Sequence, residues 1–271
     1  MIKEIESLQN PLIKKVISLR EKSRERKKHA LFIIEGKREV TLALQAGYEL
    51  DTLLFWEEFI TPHMLDQWLS QRNGAKLVKI TPDIYRKLAY RESTEGIIAI
   101  AKSKDHKLQD LKLSKKNTLV LVAEAPEKPG NIGALLRTAD AAALDAVIIA
   151  NPKTDLYNPN IIRSSVGGLF TVPIATGTTE EIIAFLNRQN IAIYAMALTA
   201  SIPYYSVDFT NSAAIVVGTE ATGLSASWIN SAKTNIIIPM QGKIDSINVS
   251  VAAAIPVFEA KRQRILKNKN L

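Results

Sequence analysis

The sequence predicts an α/β protein in two parts: a smaller α/β domain, then a larger one built on a parallel sheet. Three observations predict this. Short apolar runs alternate with helical patterns along most of the 271 residues. The later runs are almost continuously apolar, the mark of strands covered on both faces. Between the two textures lies a polar, lysine-rich stretch over 102–116, expected as a linker. The expected division is therefore 1–101, 102–116 and 117–271.

In the first part, Asn10 is a good N-cap, and Pro11 occupies the position where proline is preferred in a helix. Leu12, Ile13, Val16, Ile17 and Leu19 then supply one apolar face. The helix is expected to continue through KKVISLREKSRERKKH to His29, with eight Lys/Arg against Glu21 and Glu25. Such a run is ordinarily a solvated face. A phosphate-contacting surface carried by Lys14, Lys15, Arg24, Arg26, Lys27 and Lys28 is the other reading. Strands follow at 31–36, 51–56, 76–80 and 96–101, separated by helices at 37–46, 62–72 and 82–88. In the second part, strands are expected at 118–123, 146–150, 191–197, 214–218 and 235–239. Helices are expected at 131–143, 160–168 and 179–188, with a last one from about Asn248. Pro256 falls inside that last helix and is expected to kink or interrupt it near Ala252.

Composition excludes several classes of function. There is no cysteine, which removes disulfides, thiolate nucleophiles and cysteine zinc sites. The three histidines, His29, His63 and His106, leave none in the second part for a metal site or a catalytic triad. The polar start is no secretory signal, and no apolar run approaches the roughly 18 residues of a membrane span. A cytoplasmic protein without membrane or metal is expected. Of the net charge of +8, nearly all lies early: residues 1–116 hold 23 Lys/Arg against 16 Asp/Glu. A polyanion-binding first domain and a merely well-solvated basic surface both fit that imbalance.

Parallel sheets bind ligands beyond the C-terminal ends of their strands, so the loops there carry the chemistry. Three stand out. EAPEKPGNIGALLRTADAA follows strand 118–123, GTEATGLS occupies 218–225, and PMQGKIDSINVS occupies 239–250. GTEATGLS has the glycine spacing of a P-loop, but Leu224 stands where the lysine must be, which rejects a nucleoside triphosphatase. The dinucleotide fingerprint G-x-G-x-x-G follows none of the strands.

NIGALLRTADA, IVVGTEATGLS and IPMQGKIDSINVSVAAAI resemble, in order and spacing, the three signature motifs of the SpoU/TrmH family of the SPOUT superfamily. The first domain, with NPLIKK and IEGKREV, is similar more loosely to a ribosomal-protein-like RNA-binding domain found in ribosomal-RNA members. The resemblance implies methylation of a ribose 2′-hydroxyl in RNA, with S-adenosyl-L-methionine as cofactor and ribosomal RNA as the expected substrate. It also implies a deep trefoil knot in the second domain and a homodimer formed through it. The family's catalytic positions fall on Asn131, Arg137, Glu220, Ser246 and Asn248. Its cofactor positions fall on Leu198, Thr199, Gly218, Glu220, Ile238, Met240 and Ile247, the last being leucine in most members. Arg163, in NIIRSSVGG, is a further candidate for contact with RNA or with the cofactor's edge.

Methyl transfer from a sulfonium is an in-line displacement that needs positioning and an activated hydroxyl, not a metal. The resemblance gives Arg137 the central part in activation. An arginine is a poor base, since its pKa exceeds about 12. A clamp on the neighbouring phosphate that also stabilises a developing alkoxide suits it better. Without the resemblance, Arg137 would be a surface residue paired with Asp140 at i+3, and Asn131, Ser246 and Asn248 would be helix caps. A silent RNA-binding protein of the same fold, a tRNA methylase and a base-methylating SPOUT enzyme are the alternatives.

Overall fold

Apolar runs become strands and their flanks become caps, so the chain divides into two units that can be built separately. The computed structural model describes residues 2–70, 74–90, 95–113 and 116–269. The first unit comprises Met1–Asp105 together with Asp155–Thr171; the second comprises His106–Thr154 and Val172–Leu271.

The first unit opens with β1 (Lys3–Ile5), α1 (Pro11–Glu21), α2 (Ser23–His29) and β2 (Leu31–Glu35). It continues with α3 (Lys37–Gln45), β3 (Leu50–Phe55), α4 (Pro62–Ser70), β4 (Lys76–Ile80), α5 (Pro82–Leu88) and β5 (Ile97–Lys102). The last two residues of the helix expected over 62–72 lie outside the described residues. The sheet order is β1-β4-β3-β5-β2, parallel across β1, β4 and β3 and antiparallel on either side of β5. Asn10 caps α1 as expected, its Oδ1 accepting from the Leu12 N–H at 2.9 Å, and Ile13, Val16 and Leu19 face the core.

The expected continuous helix to His29 is instead two helices. Lys22 is extended (φ −116°, ψ 111°), and the chain turns there. The cause is Arg26, which is buried at 4% exposure. Its guanidinium donates to the carbonyls of Leu19 (2.7 Å) and Arg20 (3.1 Å), near the end of α1, and pairs with Asp155 at 2.6 Å. Folding α2 back delivers this cap to α1, whose last carbonyls would otherwise lack partners. Asp155 leads into α7 (Pro159–Ser165) and α8 (Gly168–Thr171), which belong to this unit although they lie far along the sequence. Tyr157 hydrogen-bonds Tyr48 at 3.2 Å, and burial raises both phenols above their usual pKa.

The second unit holds β6 (Leu119–Glu124), α6 (Pro129–Ala141), β7 (Ala146–Ala150), β8 (Ile174–Gly177), α9 (Thr179–Arg188) and β9 (Ala192–Met196). After these come β10 (Ser201–Pro203), β11 (Ala213–Val217), α10 (Ala226–Ser231), β12 (Thr234–Ile237) and α11 (Val249–Lys269). Its sheet runs β10-β12-β9-β11-β6-β7-β8, parallel throughout. The α/β class and parallel sheet are those the sequence predicts. Strands β6, β7 and β11 are buried along their full length. The chain steps outward from β6 to β8, then crosses back to β9, so the order reverses beside β6 and β11. Sheets of this kind bind ligands at such a reversal.

Part of the polar stretch expected as a linker docks on this unit. Leu108, Leu111 and Leu113 pack against its core, and Lys107 bridges Thr176; residues 114–115 lie outside the described residues. Of the two outcomes expected at Pro256, interruption does not occur, since α11 runs unbroken from Val249 to Lys269. Proline removes one hydrogen bond, to the Ala252 carbonyl. Burial of Ala253, Val257 and Ala260 on both sides of that gap holds the helix down.

Candidate active site

Since β12, β9, β11 and β6 are parallel neighbours, the loops after them emerge at one edge of the sheet. The loop after β11 is shaped by its glycines. Thr219 and Gly223 exchange both backbone hydrogen bonds, at 3.0 and 3.2 Å, and Gly223 adopts φ +69°. Gly218 lies against the closing end of that turn. A Cβ placed there would come within 2.2 Å of the Gly223 carbonyl carbon, so only glycine fits. The turn projects Glu220 outward. Its base is tied to the sheet by Glu124, a carboxylate only 6% exposed at the end of β6. Glu124 accepts from the Ser225 N–H and hydroxyl, both at 2.8 Å, and from the Thr179 hydroxyl at 2.9 Å.

Glu220 gathers the three motifs. It accepts from the Lys128 ammonium and from the Asn131 side-chain amide, both in short contacts. The Asn248 amide donates to Asn131 Oδ1 at 3.1 Å and reaches Glu220 Oε1 at 3.4 Å. Asn248 Oδ1 in turn accepts from the Ser250 hydroxyl (2.6 Å) and N–H (2.9 Å) at the start of α11. Asn248 is thus a cap of α11 and a member of the network together. Asn131 is not the cap of α6; Lys128 precedes Pro129 at that end, and the Asn131 amide points at Glu220. The Lys128 ammonium, and after it the Asn131 amide, hold the Glu220 carboxyl below its usual pKa, so it stays ionised.

Arg137, further along α6, is exposed. Among the described residues it makes no ion pair or hydrogen bond, and the pair with Asp140 does not form. Its five donors are available to an anion. Ser246 stands outside the network, its hydroxyl donating to Asp245 at 3.1 Å. Of the positions expected around a cofactor, Leu198 and Thr199 follow β9, Gly218 follows β11, and Ile238, Met240 and Ile247 follow β12. Leu198 is 77% exposed and Ile247 36%. Apolar residues left exposed at strand ends suit a ligand with a flat apolar ring and polar edges. The residues present therefore fit S-adenosylmethionine.

Of the expected RNA-facing residues, Lys14, Arg24, Lys27, Lys28 and Arg163 are exposed and Lys15 is half-buried, all in the first unit. Arg26 has its donors turned inward, onto Asp155 and the end of α1. Sequence reasoning missed Lys128 and Glu124. A lysine just before Pro129 in a strand-end loop is a usable signal for the first. A carboxylate closing the otherwise apolar run TLVLVAE is the signal for the second. Among the described residues no group of three or more His, Asp or Glu could hold a metal, and no helix is long and apolar enough to cross a membrane.

The chain resembles known proteins over nearly its whole length. The SpoU rRNA Methylase family matches residues 118–258, and the MRM3-like substrate binding domain matches residues 10–99. The chain is 30% identical over 260 residues to the 23S rRNA (guanosine(2553)-2′-O)-methyltransferase RlmP of Bacillus subtilis, covering 96% of this chain and 100% of that protein. It is 28% identical over 244 residues to the 23S rRNA (uridine(2479)-2′-O)-methyltransferase of Streptomyces viridochromogenes, covering 86% and 83%. Among solved structures, an AdoMet-bound rRNA methyltransferase from Sinorhizobium meliloti superposes with TM-score 0.88 at 26% identity, over 96% of this chain and 98% of that one. A structure described as an RNA 2′-O ribose methyltransferase gives 0.82 at 38% identity, over 97% and 99%.

Proposed function

The chain belongs to the SpoU rRNA methylase family, and from that premise we propose that it methylates a ribose 2′-hydroxyl in ribosomal RNA using S-adenosyl-L-methionine. The observation that carries this reading is the meeting of Lys128, Asn131, Glu220 and Asn248, from three separate motifs, in one network, with Arg137 further along α6 and making no ion pair or hydrogen bond among the described residues. The 23S rRNA specificity of the relatives named above supports ribosomal RNA over tRNA, as does the match of residues 10–99 to a substrate-binding domain. Cytoplasm is the compartment this reading implies.

When bound, S-adenosylmethionine supplies an electrophilic methyl group. Leu198, Ile238, Met240 and Ile247 would hold it through shape and main chain, with Thr199 and Gly218 at its edges. Glu220, kept ionised by Lys128, orients Asn131, and Asn248 locks both to the start of α11. Arg137 clamps the phosphate beside the target ribose and stabilises the 2′-oxygen as it becomes an alkoxide. The proton leaves to that phosphate or to water, because a guanidinium cannot accept it. Ser246 serves the third loop outside this network. Lys14, Lys15, Arg24, Lys27, Lys28 and Arg163 capture the RNA backbone on the first unit; Arg26 drops out of that set.

The same reading includes the trefoil threading and the homodimer. The return of the segment after β12 to Asn131 and Glu220 supports the first. An exposed apolar stripe on α11 supports the second: Val251, Phe258 and Ile265 are 52, 49 and 55% exposed and share one face. The test is a ribose-methylation map of ribosomal RNA from cells with and without the gene, repeated with Arg137→Ala. One site should vanish in both strains lacking function. The purified variant should keep its affinity for S-adenosylmethionine while methyl transfer falls at least about 100-fold. Retained transfer by Arg137→Ala would overturn its role, and an unchanged map would overturn the function.

A further inference from the structure

Tyr90 follows α5 in the first unit and is 52% exposed. It is nevertheless fixed. Its backbone N–H donates to Glu35 at 2.8 Å, and the Arg163 guanidinium lies over its ring, with Cζ 4.8 Å from the centroid. Arg163 is itself oriented by Asn160, to which it donates at 3.0 Å. Arg20 lines the same cleft, anchored on the carbonyls of Leu88 (2.9 Å) and Lys87 (3.1 Å). The cleft has a volume of about 30 Å³, the room of roughly one water molecule. A ring cannot enter it and must lie across its rim.

We propose that Tyr90 and Arg163 form a stacking platform for one unpaired nucleobase of the RNA substrate, with Arg163 also contacting the adjoining phosphate. The proposal rests on the RNA methyltransferase reading and adds to it a base contact that the phosphate-binding residues cannot supply. An exposed aromatic ring backed by a guanidinium is the arrangement on which single-stranded bases stack. The guanidinium over the ring repels a cationic ligand, which excludes a quaternary ammonium or methyl-lysine. The exposed Lys14, Arg24, Lys27 and Lys28 on the same unit favour a polyanion. The shallow cleft selects an unpaired base, because bases within a duplex hide the faces that stack.

The test uses the full chain and two probes read by fluorescence anisotropy: a 12-nucleotide single-stranded oligoadenylate and a 12-base-pair RNA duplex. Tyr90→Ala should weaken single-strand binding about 5- to 150-fold, the range of one base–aromatic stack. Duplex binding should be unchanged, and Tyr90→Phe should bind as the parent does. Tyr90→Leu, which keeps apolar bulk without the ring, should behave as Tyr90→Ala does. Arg163→Gln should also lower the salt dependence by about one phosphate contact. Equal single-strand binding by Tyr90→Ala and the parent overturns the proposal. So does an equal loss on the duplex, or a parent that does not bind the single strand. Methyl transfer to ribosomal RNA by the parent is measured separately, so failure of the platform and failure of the enzymatic reading are told apart.

Discussion

Replacing Gly218 by alanine isolates the geometry of the Glu220 turn. The new methyl would lie 2.2 Å from the Gly223 carbonyl carbon and 2.3 Å from its oxygen, where ordinary contact begins at 3.4 Å. Relief requires the turn to open by about 1 Å, and misplacement of that size costs roughly 100-fold in rate. Gly218 does not occupy the left-handed region, so the effect is steric and not one of backbone strain. Gly223 is its counterpart. Its φ is +69° and a methyl group added there would meet nothing within 4 Å, so Gly223→Ala carries only conformational strain of about 1–2 kcal/mol. Steady-state transfer of labelled methyl to ribosomal RNA, beside thermal unfolding, separates the two. Gly218→Ala should lose about 100-fold in kcat/KM with its fold intact. Gly223→Ala should lose thermal stability and keep more of its activity. A Gly218→Ala enzyme within about threefold of the parent would refute a positioning role of the turn for Glu220.

Three further outcomes follow from contacts already described. Removing the ammonium with Lys128→Ala should raise the Glu220 pKa toward its ordinary value. A carboxylate whose folded pKa is depressed contributes above its unfolded value and fails as pH falls through the folded one. The acid limb of the pH–rate profile should therefore move to higher pH in the variant. Arg26→Ala leaves Asp155 buried without its partner and uncaps α1, which should cost about 3–5 kcal/mol in denaturant unfolding. Arg26→Met, which fills the same volume, still leaves Asp155 without its ion-pair partner, and only pairing it with Asp155→Leu should recover stability. Glu124→Ala strands the Ser225 and Thr179 donors and should cost about 2–4 kcal/mol, while Glu124→Gln should lose less.

The strands that hold the site were legible because a buried parallel strand must be apolar throughout, as in LVLVAE and AAIVV. β1, β8 and β10 were not, since KEI, IATG and SIP are too short to show a period. The break at Lys22 was hidden for a different reason. It depends on a charged residue going inside, against the general rule for arginine, and the partner that permits this is 129 residues away. The site shows the same division. Asn131, Glu220 and Asn248 are legible as members of motifs, whereas Lys128 joins them only through the folding of two distant loops onto each other. Glu124 works from inside the sheet, where sequence patterns register burial but not hydrogen bonding.

The segment Asp155–Thr171 belongs by sequence to the methylase match and by packing to the first unit. The polypeptide thus passes between the units three times, and no single cut releases either one whole. A fragment ending at residue 105 would lose the Asp155 carboxylate beneath Arg26, the Tyr157 ring beside Phe32 and the Arg163 cation over Tyr90. Replacing residues 1–105 alone would leave Asp155–Thr171 without the residues it packs against. An incoming first unit must instead match α7 and α8, which are encoded inside the stretch that matches the methylase family.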